Sequence, residues 1–378
     1  MSIDPETIKK ERSAGWREEL RSKTKNKDRV AIERVHMPEL EAEIRVHHQD
    51  REVNRGLTLA QATLEATRCM DCVTPTCIEG CPVSINIPKF IKYIESGDIL
   101  SAASTLKETN ALPAVCGRVC PQEKQCESRC FYVEKLKKPP VAIGYLERFA
   151  ADYERESGSC NIPETLPPNG IKVATVGSGP AALAFAGDMA KYGYDVTVFE
   201  ALHEIGGVLK YGIPEFRLPN AIVDFELENL RKMGVKFVTN FIVGRTATFD
   251  DLKEQGFKGF FIGSGAGLPR FMEIPGENFN GILSSNEYLT RVRYSLEERI
   301  PLKFSPGISM KRGSPAPLPI KKPLNPCSFR SSKVAVRPTM KLVTNFTPIF
   351  RRFSNSKSTM ALGSLNSGIP YLRTPPIS

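Results

Sequence analysis

The feature that most constrains this chain is a concentration of cysteine. Of ten cysteines in 378 residues, eight lie between positions 69 and 130. They form two quartets whose members are separated by loops of two to five residues. The first quartet is Cys69, Cys72, Cys77 and Cys81, and the second is Cys116, Cys120, Cys126 and Cys130. A fold that gathers so many thiols into one short segment must be built around them.

The spacing of the quartets indicates metal or redox chemistry. Loops of this length let four thiolates reach the corners of a cubane of four iron and four sulfide ions. We therefore expect two 4Fe-4S clusters. Zinc is the alternative, because C-x2-C begins many zinc sites, but zinc modules usually supply paired knuckles or histidines, and all four histidines lie outside both quartets. Cys160 and Cys327 stand alone and are expected to be incidental.

The sequence gives no sign of secretion or of membrane insertion. The first thirty residues are charged throughout and offer no apolar segment for a secretion signal. No stretch approaches the roughly 18 uninterrupted apolar residues that a membrane span requires. We expect a cytoplasmic protein, a compartment in which cysteines serve metal or redox chemistry rather than disulfides.

The net charge of +10 would by itself suggest nucleic acid or another acidic partner. Its distribution argues against this. Residues 299–378 contain fourteen Lys and Arg and no Asp or Glu, whereas residues 1–298 hold 38 basic and 42 acidic residues. The final eighty residues also contain twelve Pro and twelve Ser, without helical or strand periodicity. We expect a disordered basic tail, and no nucleic-acid or membrane partner for the chain.

Hydrophobic periodicity predicts an α/β protein with a helical N-terminal domain. Helices are predicted over 34–52 and 59–68, as a pair within 87–109 broken near Ser96-Gly97, and over 141–153. A Pro-rich linker at 163–170 precedes a β-α-β pattern. The predicted divisions are a helical domain binding two clusters over 1–165, an incomplete Rossmann-like FAD-binding domain over 166–292 and the tail over 293–378.

The β-α-β pattern contains a dinucleotide turn. A strand at 171–176 leads into Gly177-Ser178-Gly179-Pro180-Ala181-Ala182, then a helix to about residue 192 and a strand at 195–200. Gly177 permits the tight turn, Gly179 lets a pyrophosphate approach the helix N-terminus, and Ala182 allows close packing. Glu200, at the end of the second strand, is expected to accept hydrogen bonds from ribose hydroxyls. The spacing does not separate FAD from NAD, and a nucleotide-free Rossmann-like fold is the alternative.

Two later segments are predicted to return to this cofactor. Residues 203–219 contain Gly206, Gly207 and the basic Arg217, and residues 260–269 run from an apolar strand into Gly263 and Gly265. Surface turns are the alternative for each segment. A domain in which two later segments of the chain approach the bound nucleotide is more typical of a flavoprotein than of a dehydrogenase.

Several motifs in a fixed order carry a resemblance to a known family. They are RCMDC, LPAVCGRVCPQEKQCESRC, VAIGYLERF, VGSGPAAL, IGGVLKYGIPEFRLP and FIGSGAGLPRFMEIPGEN. Over residues 30–292 the chain resembles the glutamate synthase small-subunit family, which also includes the N-terminal part of dihydropyrimidine dehydrogenase. The residues of these motifs are most similar to those of the branch containing the large subunit of NADH-dependent ferredoxin:NADP oxidoreductase and the sulfide dehydrogenase subunit.

The resemblance implies FAD at the glycine turn and cluster ligands that cross between the quartets. Carried over, one cluster is held by Cys69, Cys72, Cys77 and Cys130. The other is held by Cys81, Cys120, Cys126 and an oxygen of Glu147, which leaves Cys116 as a non-ligand. Simple quartets would instead assign Cys116 to the second cluster.

The resemblance also implies a function and marks a departure from it. Family members pass electrons from NAD(P)H through FAD and two clusters to a partner subunit or a ferredoxin-like acceptor, and no catalytic side chain is required because the flavin performs the chemistry. Beyond residue 292, however, the family's NAD(P)H-binding domain does not follow, and a truncation or a frameshift is expected. The alternative function is a non-catalytic electron-transfer or assembly module.

Overall fold

The computed structural model describes residues 4–159, 161–267, 269, 273–296 and 341–343. Helices make up the N-terminal part, and a parallel sheet flanked by helices follows. The predicted fold class, a helical domain followed by a Rossmann-like domain, is confirmed. Most of the predicted basic tail lies outside the described residues, as do Cys160 and Cys327. No helix among the described residues is both long and apolar enough to cross a bilayer.

The N-terminal part contains eleven α-helices within the described residues. They are α1 (Pro5–Arg12), α2 (Gly15–Lys23), α3 (Asn26–Ala31), α4 (Ala42–His47), α5 (Leu59–Thr67), α6 (Thr76–Gly80), α7 (Ile87–Ser96), α8 (Ile99–Lys107), α9 (Pro113–Val119), α10 (Phe131–Glu134) and α11 (Ile143–Ser157). Two single 3₁₀ turns, Gln122–Lys124 and Glu127–Arg129, lie between α9 and α10.

The predicted helix pair within 87–109 is confirmed as α7 and α8. Gly97 separates the two helices, with a left-handed φ of 88° that a residue without a Cβ adopts at little cost. Asp98 then begins α8 by accepting a hydrogen bond from the backbone N–H of Ser101 at 3.1 Å. One face of α7 buries Phe90 and Ile94 in a core that also contains Leu146 of α11.

The helix predicted over 34–52 is confirmed only for residues 42–47 and is wrong for residues 34–41 and 48–52. Only α4 is helical, and the chain before it is extended. The N–H of Leu40 donates to the carbonyl oxygen of Val53 at 2.8 Å, and that of Arg55 donates to the carbonyl oxygen of Pro38 at 2.7 Å. Proline disfavours helical geometry in the residue before it and has no N–H for a helix, so Pro38 directs this segment into a bridge with residues 53–55.

The Rossmann-like part is built on a five-stranded sheet. Its strands are β1 (Lys172–Val176), β2 (Asp195–Phe199), β3 (Lys236–Val238), β4 (Phe257–Ile262) and β5 (Lys341–Val343), in the order β3-β2-β1-β4-β5. The helices that follow α11 are α12 (Pro180–Lys191), α13 (Val208–Tyr211), α14 (Asn220–Lys232), α15 (Phe249–Glu254) and α16 (Ser285–Leu296). The first four strands pair in parallel, so the dinucleotide turn at the carboxyl end of β1 lies at the centre of the sheet.

The outer strand β5 is a difference from the sequence prediction. It pairs antiparallel with β4, with Phe260 opposite Val343 and Ile262 opposite Lys341. Three residues are too few to give a readable period in the sequence. The unpaired backbone groups along the edge of β4 supply the hydrogen-bond partners that favour this addition.

One apolar core joins the helical part to the Rossmann-like part. Leu112 and Val115, at the start of α9, share it with Leu183 of α12 and Leu230 of α14. At its edge the carboxylate of Glu226 accepts a hydrogen bond from the N–H of Ala114 at 2.7 Å. The helix that carries Cys116 is therefore fixed directly to the dinucleotide-binding part.

The buried carboxyl group of Glu226 predicts a pH-dependent stability. Burial raises its pKa from 4.5 to about 7, so the folded state favours the protonated form. The contribution of this carboxyl group to stability is then fully present below pH 4.5 and decreases as the pH rises through about 7. A shift of this size corresponds to about 3 kcal/mol. We expect Glu226→Gln to remove this decrease in unfolding experiments between pH 4 and 8.

Glu228 provides the control for this measurement, because it is an exposed carboxylate on the same helix. Glu228→Gln should retain the wild-type pH profile. A Glu226→Gln profile parallel to that of the wild type would show that Glu226 does not cause the decrease.

Candidate metal centres and dinucleotide turn

The cysteines come together in two groups that cross the sequence quartets. Group A consists of Cys69, Cys72, Cys77 and Cys130, which line one cavity together. Most of the remaining lining is apolar and includes Pro75, Ile91 and Val141. Group B consists of Cys81, Cys116, Cys120 and Cys126 and lies beside Glu147. The structure thus places Cys130 with the first quartet and Cys81 with the second.

Group A is held by hydrogen bonds between segments that are distant in sequence. The hydroxyl of Tyr132 donates to the carbonyl oxygens of Arg29 and Arg68, at 3.0 and 2.9 Å. The Arg68 guanidinium donates to the carbonyl oxygens of Pro139 and Pro140, at 2.8 Å each. These contacts hold the chain that follows Cys130 against the residue that precedes Cys69.

Group B depends on close packing between α9 and α11. A Cβ atom on Gly117 would lie 2.6 Å from the backbone nitrogen of Arg148, so only glycine allows this approach. It brings Cys116 and Cys120 beside Glu147, which is 6% exposed. The side-chain amide of Asn110 donates to Glu147 Oε1 at 2.9 Å, and its oxygen lies 3.6 Å from the sulfur of Cys116.

All of these thiols except that of Cys120 are in surroundings that favour the protonated form when no metal is present. In group A, burial raises the pKa of Cys69, Cys77 and Cys130, and raises that of Cys72 to about 12. In group B, burial raises the pKa of Cys81, Cys126 and Glu147. The hydrogen bond between Cys116 and Cys120 raises the pKa of the former and lowers that of the latter.

The donor sets fit iron–sulfur chemistry. Group A offers four thiols around a mostly apolar cavity, which matches the thiolate ligation and dry surroundings of a cubane. A cubane at group B would also need four ligands, but five candidates are present, four thiols and one carboxyl group. The choice between Cys116 and Glu147 therefore stays a prediction. Among the residues that the structure describes, no three His, Cys, Asp or Glu side chains are arranged to hold a single metal ion.

The dinucleotide turn has the geometry that its glycines predict. Gly177 has a φ of 95°, and a Cβ there would lie 2.5 Å from the carbonyl oxygen of Gly263, so β4 ends against this turn. Gly179 begins α12 and faces open space. Pro180 and Ala181 form the first turn of α12, and Ala182 is fully buried.

Ser178 links this turn to two other segments, a role that the sequence analysis missed. Its N–H and its hydroxyl both donate to Glu200 Oε2, the former at 2.9 Å. The N–H of Gly206 donates to the Ser178 hydroxyl oxygen at 2.9 Å. Glu200 Oε1 accepts from the N–H of Leu202 at 2.9 Å, which leaves it a second lone pair for a ribose hydroxyl.

The other residues of the predicted returns differ in their placement. A Cβ on Gly207 would lie 2.9 Å from Gly179 Cα, so this segment does approach the turn. Gly265 follows β4 and adopts a left-handed φ of 74°. Arg217 is exposed, and no contact within the described residues joins its guanidinium to the glycine turn.

Two protein-family models match the cysteine-bearing part and the dinucleotide-binding part of this chain. Residues 45–159 match the family model of dihydropyrimidine dehydrogenase domain II, 4Fe-4S cluster, and residues 175–234 match that of an NAD(P)-binding Rossmann-like domain. The predicted resemblance is confirmed. PreT of Escherichia coli K12, named as an NAD-dependent dihydropyrimidine dehydrogenase subunit, is 39% identical over 58% of this chain and 53% of its own length.

Two further relatives support the same assignment. The glutamate synthase small chain of Azospirillum brasilense is 34% identical over 61% of this chain and 47% of its own, and that of E. coli K12 is 35% identical over 63% and 50%. The chain spans about half the length of these curated relatives. The branch of the family that the chain most resembles and the predicted domain boundaries stay predictions.

The burial of Glu147 in group B predicts a selective effect of its removal. We expect Glu147→Ala to alter the reduction potential or the occupancy of one cluster only, because it removes the oxygen donor that lies beside the group B thiols. Redox titration followed by electron paramagnetic resonance (EPR) measures both quantities. Glu147→Gln, which retains an oxygen, should be less severe, and Glu156→Ala on the exposed face of α11 is the control. A Glu147→Ala titration identical to the wild type would exclude a role at the cluster.

Proposed function

We propose that this chain is the electron-input part of an NAD(P)H-dependent oxidoreductase. In this proposal FAD binds at the glycine turn and two 4Fe-4S clusters bind at groups A and B, with electrons leaving to a partner subunit or a ferredoxin-like acceptor. The observation that carries the proposal is the apolar core shared by α9, α12 and α14. It fixes α9, which carries Cys116 of group B, against the dinucleotide-binding part. Helix α11 contributes Ala151 to this core and Leu146 to the core around group A, so the proposed cofactors would lie in one packed body, as electron exchange between them requires.

The residues at the turn have defined tasks in this proposal. Gly179 leaves the N-terminus of α12 open to a pyrophosphate, where backbone N–H groups and the helix dipole favour negative charge. Glu200 Oε1 would orient the ribose, and Ser178 fixes that carboxylate in place. When bound, FAD would supply the conversion of a two-electron hydride into single electrons.

The cysteine-bearing part would hold its clusters away from water. Group A thiols sit in the apolar cavity, and Cys126 and Cys130 are buried. PreT is named a subunit of a dehydrogenase and the glutamate synthase small chain is named for a multi-chain enzyme. These names support a partner subunit as the electron acceptor for this chain.

The iron content tests the cysteine assignment. We expect about eight iron ions per chain after anaerobic reconstitution. Cys77→Ala should remove about half of them, because group A loses a ligand. Cys160→Ala, which changes a cysteine outside both groups, is the control. Equal iron in Cys77→Ala and wild type would contradict the assignment.

NADPH or NADH distinguishes the oxidoreductase from the alternative, a non-catalytic electron-transfer or assembly module. Mixing either nucleotide anaerobically with the FAD-loaded chain should bleach the flavin absorbance rapidly if this chain accepts hydride. Bleaching by dithionite confirms that the bound flavin is reducible. Bound FAD that dithionite reduces but neither nucleotide bleaches would exclude hydride acceptance by this chain and support the module.

A further inference from the structure

A buried lysine touches the backbone of group A. Lys92 on α7 is fully buried, and its Nζ donates to the carbonyl oxygen of Cys69 at 2.5 Å. The same ammonium group pairs with Glu95. Lys92 has no role at the dinucleotide turn, and the sequence motif around Cys69 does not predict its contact with the Cys69 backbone.

A second cation shares these partners. Arg29 is fully buried, and its guanidinium donates to the carbonyl oxygen of Cys69 at 3.3 Å and pairs with Glu95 at 2.9 Å. One carboxylate therefore faces two buried cations beside Cys69. The local charge is positive at this point.

The wider surroundings of group A have the same sign. Five cations, Lys92, Arg29, Arg68, Arg17 and Arg21, face four carboxylates, Glu95, Glu65, Asp71 and the exposed Glu18. Asp71 lies between two group A cysteines and pairs with both Arg17 and Arg21. Four of the five cations are no more than 2% exposed, so solvent screens their charge weakly.

Group B has no comparable excess of buried cations in its surroundings. Glu147 lies beside its thiols without a cationic partner among its hydrogen bonds. Glu127, next to Cys126, pairs with Arg34 at 2.9 Å. The nearby Arg118 and Arg148 are matched by the carboxylates of Glu52 and Asp152.

We propose that Lys92 raises the reduction potential of the cluster at group A above that of the cluster at group B, so that group A is reduced first. This inference rests on the proposed binding of two clusters. Reduction adds negative charge to a cluster, and a buried cation stabilises that charge because the local dielectric constant is low. Lys92 acts through the Cys69 backbone and its own charge and is not a ligand.

Stability alone does not explain why a buried lysine occupies position 92. A buried ion pair is often matched or exceeded in stability by well-packed apolar side chains. Replacing Lys92 by methionine preserves length and leaves Glu95 paired with Arg29. The substitution therefore removes one positive charge from beside Cys69 without leaving a carboxylate unpaired.

The test is an EPR-monitored redox titration of the full chain, reconstituted anaerobically. Lys92→Met should move the first reduction step to a more negative potential by about 59 mV, a tenfold change in the one-electron equilibrium. The second step, identified as the one that Glu147→Ala alters, should not move. Lys92→Arg should retain the wild-type reduction potential of the first step because it keeps the positive charge.

Lys89→Met is the matched control. Lys89 lies three residues earlier on α7 and pairs with Glu11 and Glu108 at 2.9 Å each, so its removal changes the net charge equally without touching Cys69. Lys89→Met should shift the reduction potentials of both steps by only a small fraction of the shift that Lys92→Met causes. If Lys92→Met fails to load group A, Lys92→Gln takes its place, because it retains a donor and loses the charge.

The outcomes separate this inference from the proposed function. A wild-type chain that binds no iron and sulfide overturns the proposed function and this inference with it. Two clusters with an unmoved first step in Lys92→Met, or in Lys92→Gln where that replaces it, overturn the inference alone. An equal shift in Lys89→Met would overturn it too, because the effect would then follow net charge rather than the contact with Cys69.

Discussion

The close approach of α9 to α11 across Gly117 is the contact on which the rest of this structure depends. No side chain fits between Gly117 and the backbone of Arg148. One end of α9 reaches Glu226 of the Rossmann-like part, and its Cys116 lies beside Glu147 of α11. Group B and the domain junction are thus two consequences of a single helix contact.

Charge is distributed around that framework at a considerable energetic cost. Burying an ion without a partner is prohibitive, and even paired ions repay their desolvation only with good geometry. Here Arg17, Arg29, Arg68 and Lys92 are all buried, yet each finds a carboxylate or a backbone carbonyl oxygen. One of those carbonyl oxygens, that of Cys69, accepts from both Lys92 and Arg29. The charges therefore fix the course of the chain around the thiols while setting the electrostatic potential there.

Local patterns predicted much of the fold, because α7, α8 and the β1-turn-α12 unit are specified within short segments. The region 34–52 was not predicted correctly, because Pro38 pairs with residues distant in sequence. Periodicity and spacing also could not give the exchange of Cys81 and Cys130, which results from tertiary packing, although the family resemblance implied it. The same holds for Asn110 and Lys92, whose contacts with Glu147 and Cys69 depend on the meeting of separate helices.

The short strand β5 has a consequence for how this protein behaves in a crowded solution. A parallel sheet that ended at β4 would present an open row of amide and carbonyl groups to any extended polypeptide nearby. By lying antiparallel along residues 260–262, β5 covers that row with the chain's own backbone. Residues 260–262 are thereby unavailable to a foreign strand, and the outer strand that replaces them at the edge is only three residues long, which limits edge-to-edge pairing.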